Sequence, residues 1–142
     1  MRHLLIISLI GVFSLPALAD DHDHHHEEDA LNQVRHYAVD EPETDEQALV
    51  MLDEHTQKIE ELMVGDALDD SALEAVHEAS YSLEAAVDKL RENVSDEQEA
   101  TLDTVDEAVQ ALHYASEKHE EEKTRKWFAA LQPAVKELHN VY

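Results

Sequence analysis

The sequence predicts an all-α protein, an up-down-up-down four-helix bundle behind a disordered His/Asp-rich N-terminal tail. Three observations predict it. Only two of the 142 residues are glycine, so little of the chain suits irregular backbone. Four segments carry apolar residues at three-and-four spacing, the pattern of helices that bury one face. Three sites also read as capping boxes, with a hydroxyl residue followed three places later by Gln or Glu.

The first element is a leader. Met1-Arg2-His3 is a short basic start, "LLIISLIGVFSL" (Leu4–Leu15) is apolar, and "PALA" sets Ala17 and Ala19 at small-residue positions. This reads as a Sec-type signal peptide over residues 1–19, too short for a membrane span. Cleavage is expected before Asp20, giving a soluble chain in the periplasm. The chain has no cysteine, so it carries no lipid-anchored cysteine, disulfide, thiolate metal site or thiol nucleophile.

Residues 20–43 follow as an acidic, His-rich tail and an extended arm, "LNQVRHYAVDEPE". The bundle is expected over 44–142. "TDEQ" (Thr44–Gln47) opens the first helix, about 45–64, which Gly65 stops. "SALE" (Ser71–Glu74) opens the second, about 72–93, and "SDEQ" (Ser95–Gln98) the third, from Asp96. One unbroken helix to the end would be about 70 Å long. A break near Lys118-His119 is expected instead, with Glu120–Glu122 in a first turn that favours acids. Pro133 should kink or split the fourth helix, which runs to about Asn140.

The apolar stripes are Ala48, Leu52, Ile59 and Leu62, then Leu73, Val76, Leu83, Val87 and Leu90. They continue with Leu102, Val105, Val109 and Leu112, and end with Trp127, Phe128, Leu131, Val135 and Leu138. Tyr81, Tyr114 and the Trp127-Phe128 pair read as packing, and Met51 and Met63 as core fillers.

Charge bounds the partners. With 34 acidic residues against ten Lys and Arg, the formal net charge is −24. Nucleic acid and anionic lipid need clustered positive charge and are excluded as partners. Metal ions and an unidentified periplasmic protein are the compatible ones. Lys123, Arg125 and Lys126 form one basic cluster, explained by Glu121–Arg125 and Glu122–Lys126 pairs on a helix face.

The histidines carry the chemistry. "DDHDHHHEED" (Asp20–Asp29) holds four of the eleven. Short His-rich tracts bind metal by composition, and imidazole suits Cu, Ni and Zn. The candidate ligands are Asp20, His22, His24, His25 and His26. An α-amine at Asp20 with His22 two residues on can wrap Cu(II) or Ni(II) in a square plane, using the amide nitrogens between them. A second candidate site lies in the helices. His77 sits about five residues into the second helix and His113 about five before the end of the third, so they share a level. His119 falls at the same end. His55 keeps stripe spacing and is expected to point inward, satisfied by Tyr or Glu.

No nucleophile with its base and no phosphate loop is present, and carboxylates are too common to mark acid–base work. "EAVH" (Glu74–His77) has the Glu-x-x-His spacing of diiron carboxylate bundles, but Gln110 stands three before His113, so no second copy exists. The chain is read as a non-enzyme.

"VRHYAVDEPET" (Val34–Thr44), "VHEASYSLEAAV" (Val76–Val87) and "LHYASEKHE" (Leu112–Glu120) together resemble a family of small exported proteobacterial all-helical proteins of unknown function. The resemblance covers about residues 34–142, without the His-rich tip. It implies a periplasmic helical protein with no assigned activity, and singles out His36, His77, Tyr81, Glu84, His113, Ser116 and Glu117. A weaker likeness is to periplasmic b-type cytochrome bundles, in which Met51 and His139 would take the places of the haem ligands. The expected function is therefore divalent transition-metal binding or buffering. The alternatives are a metal-free interaction or stress protein, or a haem b electron carrier.

Overall fold

A computed structural model describes Tyr37 and residues 39–142. The leader, the Asp20–Asp29 tract and the arm as far as His36 lie outside the described residues. Within the described residues there are four helices and no strand: α1 (Asp45–Leu62), α2 (Asp70–Arg91), α3 (Asp96–Glu117) and α4 (Glu121–Val141).

Each boundary has a local cause. At α1, Thr44 Oγ1 accepts from the Gln47 amide at 3.2 Å, and Gln47 Oε1 reaches back to the Glu43 amide at 2.7 Å. At α3, Gln98 Oε1 accepts from both the amide and the hydroxyl of Ser95. The second helix differs from the expectation. Asp69 is its N-cap, its carboxylate accepting from the Ala72 amide at 2.8 Å, so Ser71 lies inside the first turn. A carboxylate caps as well as a hydroxyl and also meets the helix dipole.

The expected break at Lys118-His119 is present without a glycine. His119 has a φ of 55°. Its amide donates to the Ser116 carbonyl at 3.0 Å, and the Glu120 amide donates to the Ala115 carbonyl at 2.9 Å. These two bonds make a Schellman motif, whose left-handed position Gly normally fills. Pro133 does not split α4. It sits on the exposed side, where water can serve the carbonyl that its missing N–H leaves over.

The connections make the helices alternate in direction. Arg91 at the end of α2 bonds Asp103 and Asp106 in the first half of α3. Gln98 at the start of α3 donates to the Val141 carbonyl at the end of α4. Glu121 at the start of α4 accepts from the Leu68 amide before α2. The two ends of the bundle therefore mix starts and stops in the up-down-up-down order.

The stripes meet as expected. Leu52, Ile59, Leu83, Leu90, Leu102, Leu112, Leu131 and Leu138 are all fully buried. Trp127 and Leu62 are half-buried at the edge of this core, as are Met51 and Met63. Tyr81 is buried, but Tyr114 is 60% exposed, with the Lys118 ammonium 5.4 Å from its ring centre. Glu121 pairs with Arg125, whereas Lys126 lies over the Trp127 ring.

Packing is uneven. Each helix packs extensively on the next in sequence, while α1 and α4 touch little. Polar contacts bridge that seam: His139 to Asp53 at 2.8 Å, Gln132 to Glu60 at 3.2 Å, and Arg125 to the Met63 and Gly65 carbonyls. On α2, every residue from Ala79 to Val87 is buried. The arm runs along this helix, with Tyr37 against Tyr81 and with Glu41 and Pro42 beside Ala85 and Lys89.

Truncating Leu112 to Ala should lower the unfolding free energy by about 3 kcal/mol, since the site is enclosed by the core and cannot collapse. Urea unfolding followed by helical circular dichroism measures it. A loss below about 1 kcal/mol would mean that this layer is not packed as described.

Candidate functional site

Five titratable residues of α2 recur at 4-3-4-3 spacing: Asp70, Glu74, His77, Tyr81 and Glu84. That spacing returns to one side of a helix, so they form a single ridge. It starts at the exposed Asp70 and ends at the buried Glu84. The apolar residues Leu73, Val76, Leu83, Val87 and Leu90 run beside it, one position out of phase.

α3 meets the interior half of this ridge. His113 Nδ1 shares a hydrogen bond with Glu84 Oε1, and both side chains are under 10% exposed. The His113 ring packs 4.6 Å from Tyr81 and 4.8 Å from His77, centre to centre, and His77 lies 5.2 Å from Tyr81. One turn on, the Ser116 hydroxyl is buried and donates to the His113 carbonyl at 2.9 Å. The expected level pair is thus present, and both His77 and His113 are buried.

The arm covers the same ridge. Tyr37 packs at a tilt 5.8 Å from Tyr81 and edge-on 6.1 Å from His77, and its hydroxyl donates to Glu74 Oε1. That bond holds the Glu74 carboxyl below the usual carboxylate range and lifts the Tyr37 phenol. At the outer end, His119 leans from its left-handed turn onto Asp70, with Nδ1 3.0 Å from Oδ1. Its Nε2 lies 3.9 Å from Glu74 Oε2, and His77 Nδ1 lies 3.8 Å from Glu74 Oε1.

The remaining expected sites do not join this cluster. The Asp20, His22, His24, His25 and His26 candidates, like His36, lie outside the described residues. Glu117 is exposed beside Lys118. Met51 and His139 line different cavities. Met51 lies in a small apolar hollow with Val50, and His139 in a groove of about 540 Å³ between α1 and α4. His55 is half-buried as expected but is not satisfied: its Nδ1 is buried with no hydrogen-bond partner among the described residues. Burial lowers its pKa, and nearby Lys58 adds to the effect. Among the described residues, no group of three or more His, Asp or Glu is gathered as a formed metal site.

Sequence reasoning found His77, His113 and His119 by counting residues from helix ends. It missed Tyr37 as a lid, Asp70 as a member, and Glu84 as the partner of His113. The 4-3-4-3 recurrence of titratable residues beside the apolar stripe was the available signal.

The profile of a family of unknown function, DUF6746, matches residues 1–139 of the chain. The match starts at Met1, so it reaches much further back than the resemblance placed from Val34. No curated protein and no solved structure matches the chain.

Two outcomes follow from this geometry. Replacing His113 by Phe strips a buried carboxylate of its donor and should cost about 3–5 kcal/mol. Adding Glu84→Leu should restore most of that, measured as a double-mutant cycle in urea. The Tyr37–Glu74 bond should respond to pH at both limits. Glu74 has a depressed folded pKa, so its contribution is present above the ordinary carboxylate range and lost as pH falls through the folded value. Tyr37 has a raised one, so its contribution is present below the ordinary phenol range and lost as pH rises through the folded value. Protease cleavage of the arm should be slow between those limits, rise severalfold outside them, and lose both limbs in Tyr37→Phe.

Proposed function

The chain belongs to this family of unknown function, and we propose that the protein binds and buffers divalent transition metal (copper, nickel or zinc) in the periplasm. The observation that carries the reading is the Asp20–Asp29 tract, with four histidines and six acids in ten residues directly behind a leader of signal-peptide form. Neutral imidazoles are good ligands for these ions, and the adjacent carboxylates offset the ion's charge. After cleavage at Ala19, the α-amine of Asp20 and the imidazole of His22 add a square-planar site for Cu(II) or Ni(II).

The mechanism is capture and release. Ligands must be deprotonated to bind, so uptake is favoured above the histidine pKa of about 6.5 and is reversed as the imidazoles protonate. The bundle serves as a carrier for the tract. No helix among the described residues is long and apolar enough to cross a membrane. No step of this reading needs catalysis.

One observation favours a second reading, a metal-free interaction or stress protein. His113, His119 and His139 each already meet a carboxylate: Glu84, Asp70 and Asp53. Such pairs are sufficient reasons for histidines in an acidic bundle. Haem ligation by Met51 and His139 has less support, because His139 Nε2 is on Asp53.

Calorimetric titration of the mature protein with Cu(II), Ni(II) and Zn(II) should show saturable uptake. Replacing His22, His24, His25 and His26 by Ala should remove most of it. Lowering the pH from about 7.5 to 5.5 should weaken it at least tenfold. If the native chain and the tract variant take up the same amount, the tract is not the carrier. If the variant keeps the native phenotype in cells, the metal-free reading gains.

A further inference from the structure

Among the described residues, three side-chain atoms of α1 are buried with no hydrogen-bond partner: Asp45 Oδ1, His55 Nδ1 and Thr56 Oγ1. Thr56 departs from the other helical hydroxyls. Ser80, Thr104 and Thr124 each donate to the carbonyl four residues earlier, at 2.9–3.0 Å. A polar group buried without a partner costs the hydration it gave up, and recovers it when water returns. α1 is also held mainly from one side. It packs along α2 but meets α4 across a groove, bridged by His139 to Asp53 and Gln132 to Glu60.

His55 makes this arrangement sensitive to acid. Protonation turns both ring nitrogens into donors, so Nδ1 would carry an N–H with no acceptor before it, and the charge would sit partly out of water. Burial is the main cause that lowers the His55 pKa, and Lys58 adds to it. The carboxylates of Glu54 and, from α2, Glu78 act the other way without overturning it. Across the groove, α4 presents Lys136 and His139. Protonation of His139 strengthens its pairing with Asp53 and so opposes any opening of this seam.

We infer that α1 is an acid-released helix: protonation of His55 frees it from α2 and from the α4 seam, and leaves α2, α3 and α4 assembled. Release brings water to His55 Nδ1 and Thr56 Oγ1. It also uncovers Ala48, Leu52 and Ile59, and that apolar exposure keeps the helix docked at neutral pH. The inference uses none of the tract's residues.

In a released α1, His55 is in water and takes its proton at the ordinary value of about 6.5. In the docked helix it takes the proton only at lower pH. Docking is therefore firm above the ordinary value and weakens as pH falls from there through the docked value. The net charge of −24 works in the opposite direction, because acid relieves the repulsion among the carboxylates. A chain without His55 should therefore not loosen α1 in this range.

The test uses the full chain, which has no cysteine of its own, with nitroxide labels on Glu61→Cys in α1 and Glu137→Cys in α4. Both positions are exposed and outside the bridging contacts. Double electron–electron resonance should show a longer second distance whose population grows severalfold between about pH 7.5 and 5.5. His55→Leu and His55→Gln should each flatten that response, and helical circular dichroism confirms that they fold. Thr56→Val should lower the released fraction at both pH values and leave the response in place. A reference pair, Glu107→Cys in α3 with Glu137→Cys in α4, should keep its distance throughout. The inference is overturned if the longer distance does not grow at pH 5.5, or grows as much in both His55 variants. It is also overturned if the reference pair lengthens in step, since the whole molecule then opens. The tract reading is judged separately, by metal uptake.

Discussion

A carboxylate taken out of water has to be met by a donor, and in this bundle the requirement falls on Glu84. Glu84 lies within a run of α2 that is buried throughout, from Ala79 to Val87. The donor comes from α3 as His113, whose Nδ1 faces Oε1. That one bond sets the rotation of α3 against α2, because His113 and Glu84 must lie on facing sides. The rings follow from it. Tyr81 and His77, one and two turns up the ridge from Glu84, fill the space around the imidazole, and Ser116 ties off the His113 carbonyl from below.

The ridge therefore changes character along its length. Its inner half, at Glu84 and Tyr81, is packed and closed. Its outer half, at Glu74 and Asp70, is open to solvent and crowded with acids and imidazoles. Tyr37 spans the two halves, with its ring on the closed part and its hydroxyl on the open part. The described part of the arm is thus a structural element in its own right, although it contains neither helix nor strand. It lies along α2 beside Tyr81, Ala85 and Lys89.

Most of the fold was legible in the sequence because its determinants are local. The stripes of Leu83, Val87 and Leu90, or of Leu131, Val135 and Leu138, name a helix face without reference to any other part of the chain. Thr44 and Ser95 mark starts in the same way. Two local signals misled. Ser71 resembles a cap but stands two residues behind Asp69, a competing acceptor placed earlier in the chain. Tyr114 falls beside His113 but on the outer face of α3. The candidate site was legible only in part. His77 and His113 could be placed at one level by counting turns, but the pairing of His113 with Glu84 depends on how two helices are rotated. The docking of Tyr37 is a contact across 37 positions of sequence, and nothing local announces it. The turn at His119 was legible without its usual residue, Gly, from the length an unbroken helix would have and from the acids that follow it.

The polar seam between α1 and α4 has a consequence for how the molecule comes apart. α1 contributes only Ala48, Leu52 and Ile59 to the fully shielded interior, and its apolar contacts are almost all with α2. α2 and α3 share the buried Glu84–His113 bond and the most enclosed layers. Backbone amides in the central hairpin should therefore exchange with solvent only when the whole molecule opens, while those of α1 exchange through a smaller, cheaper excursion that leaves the other three helices in place. The protein is in this sense a stable set of three helices with α1 less firmly held beside it, and its cluster of imidazoles and carboxylates is rooted in the part that opens last.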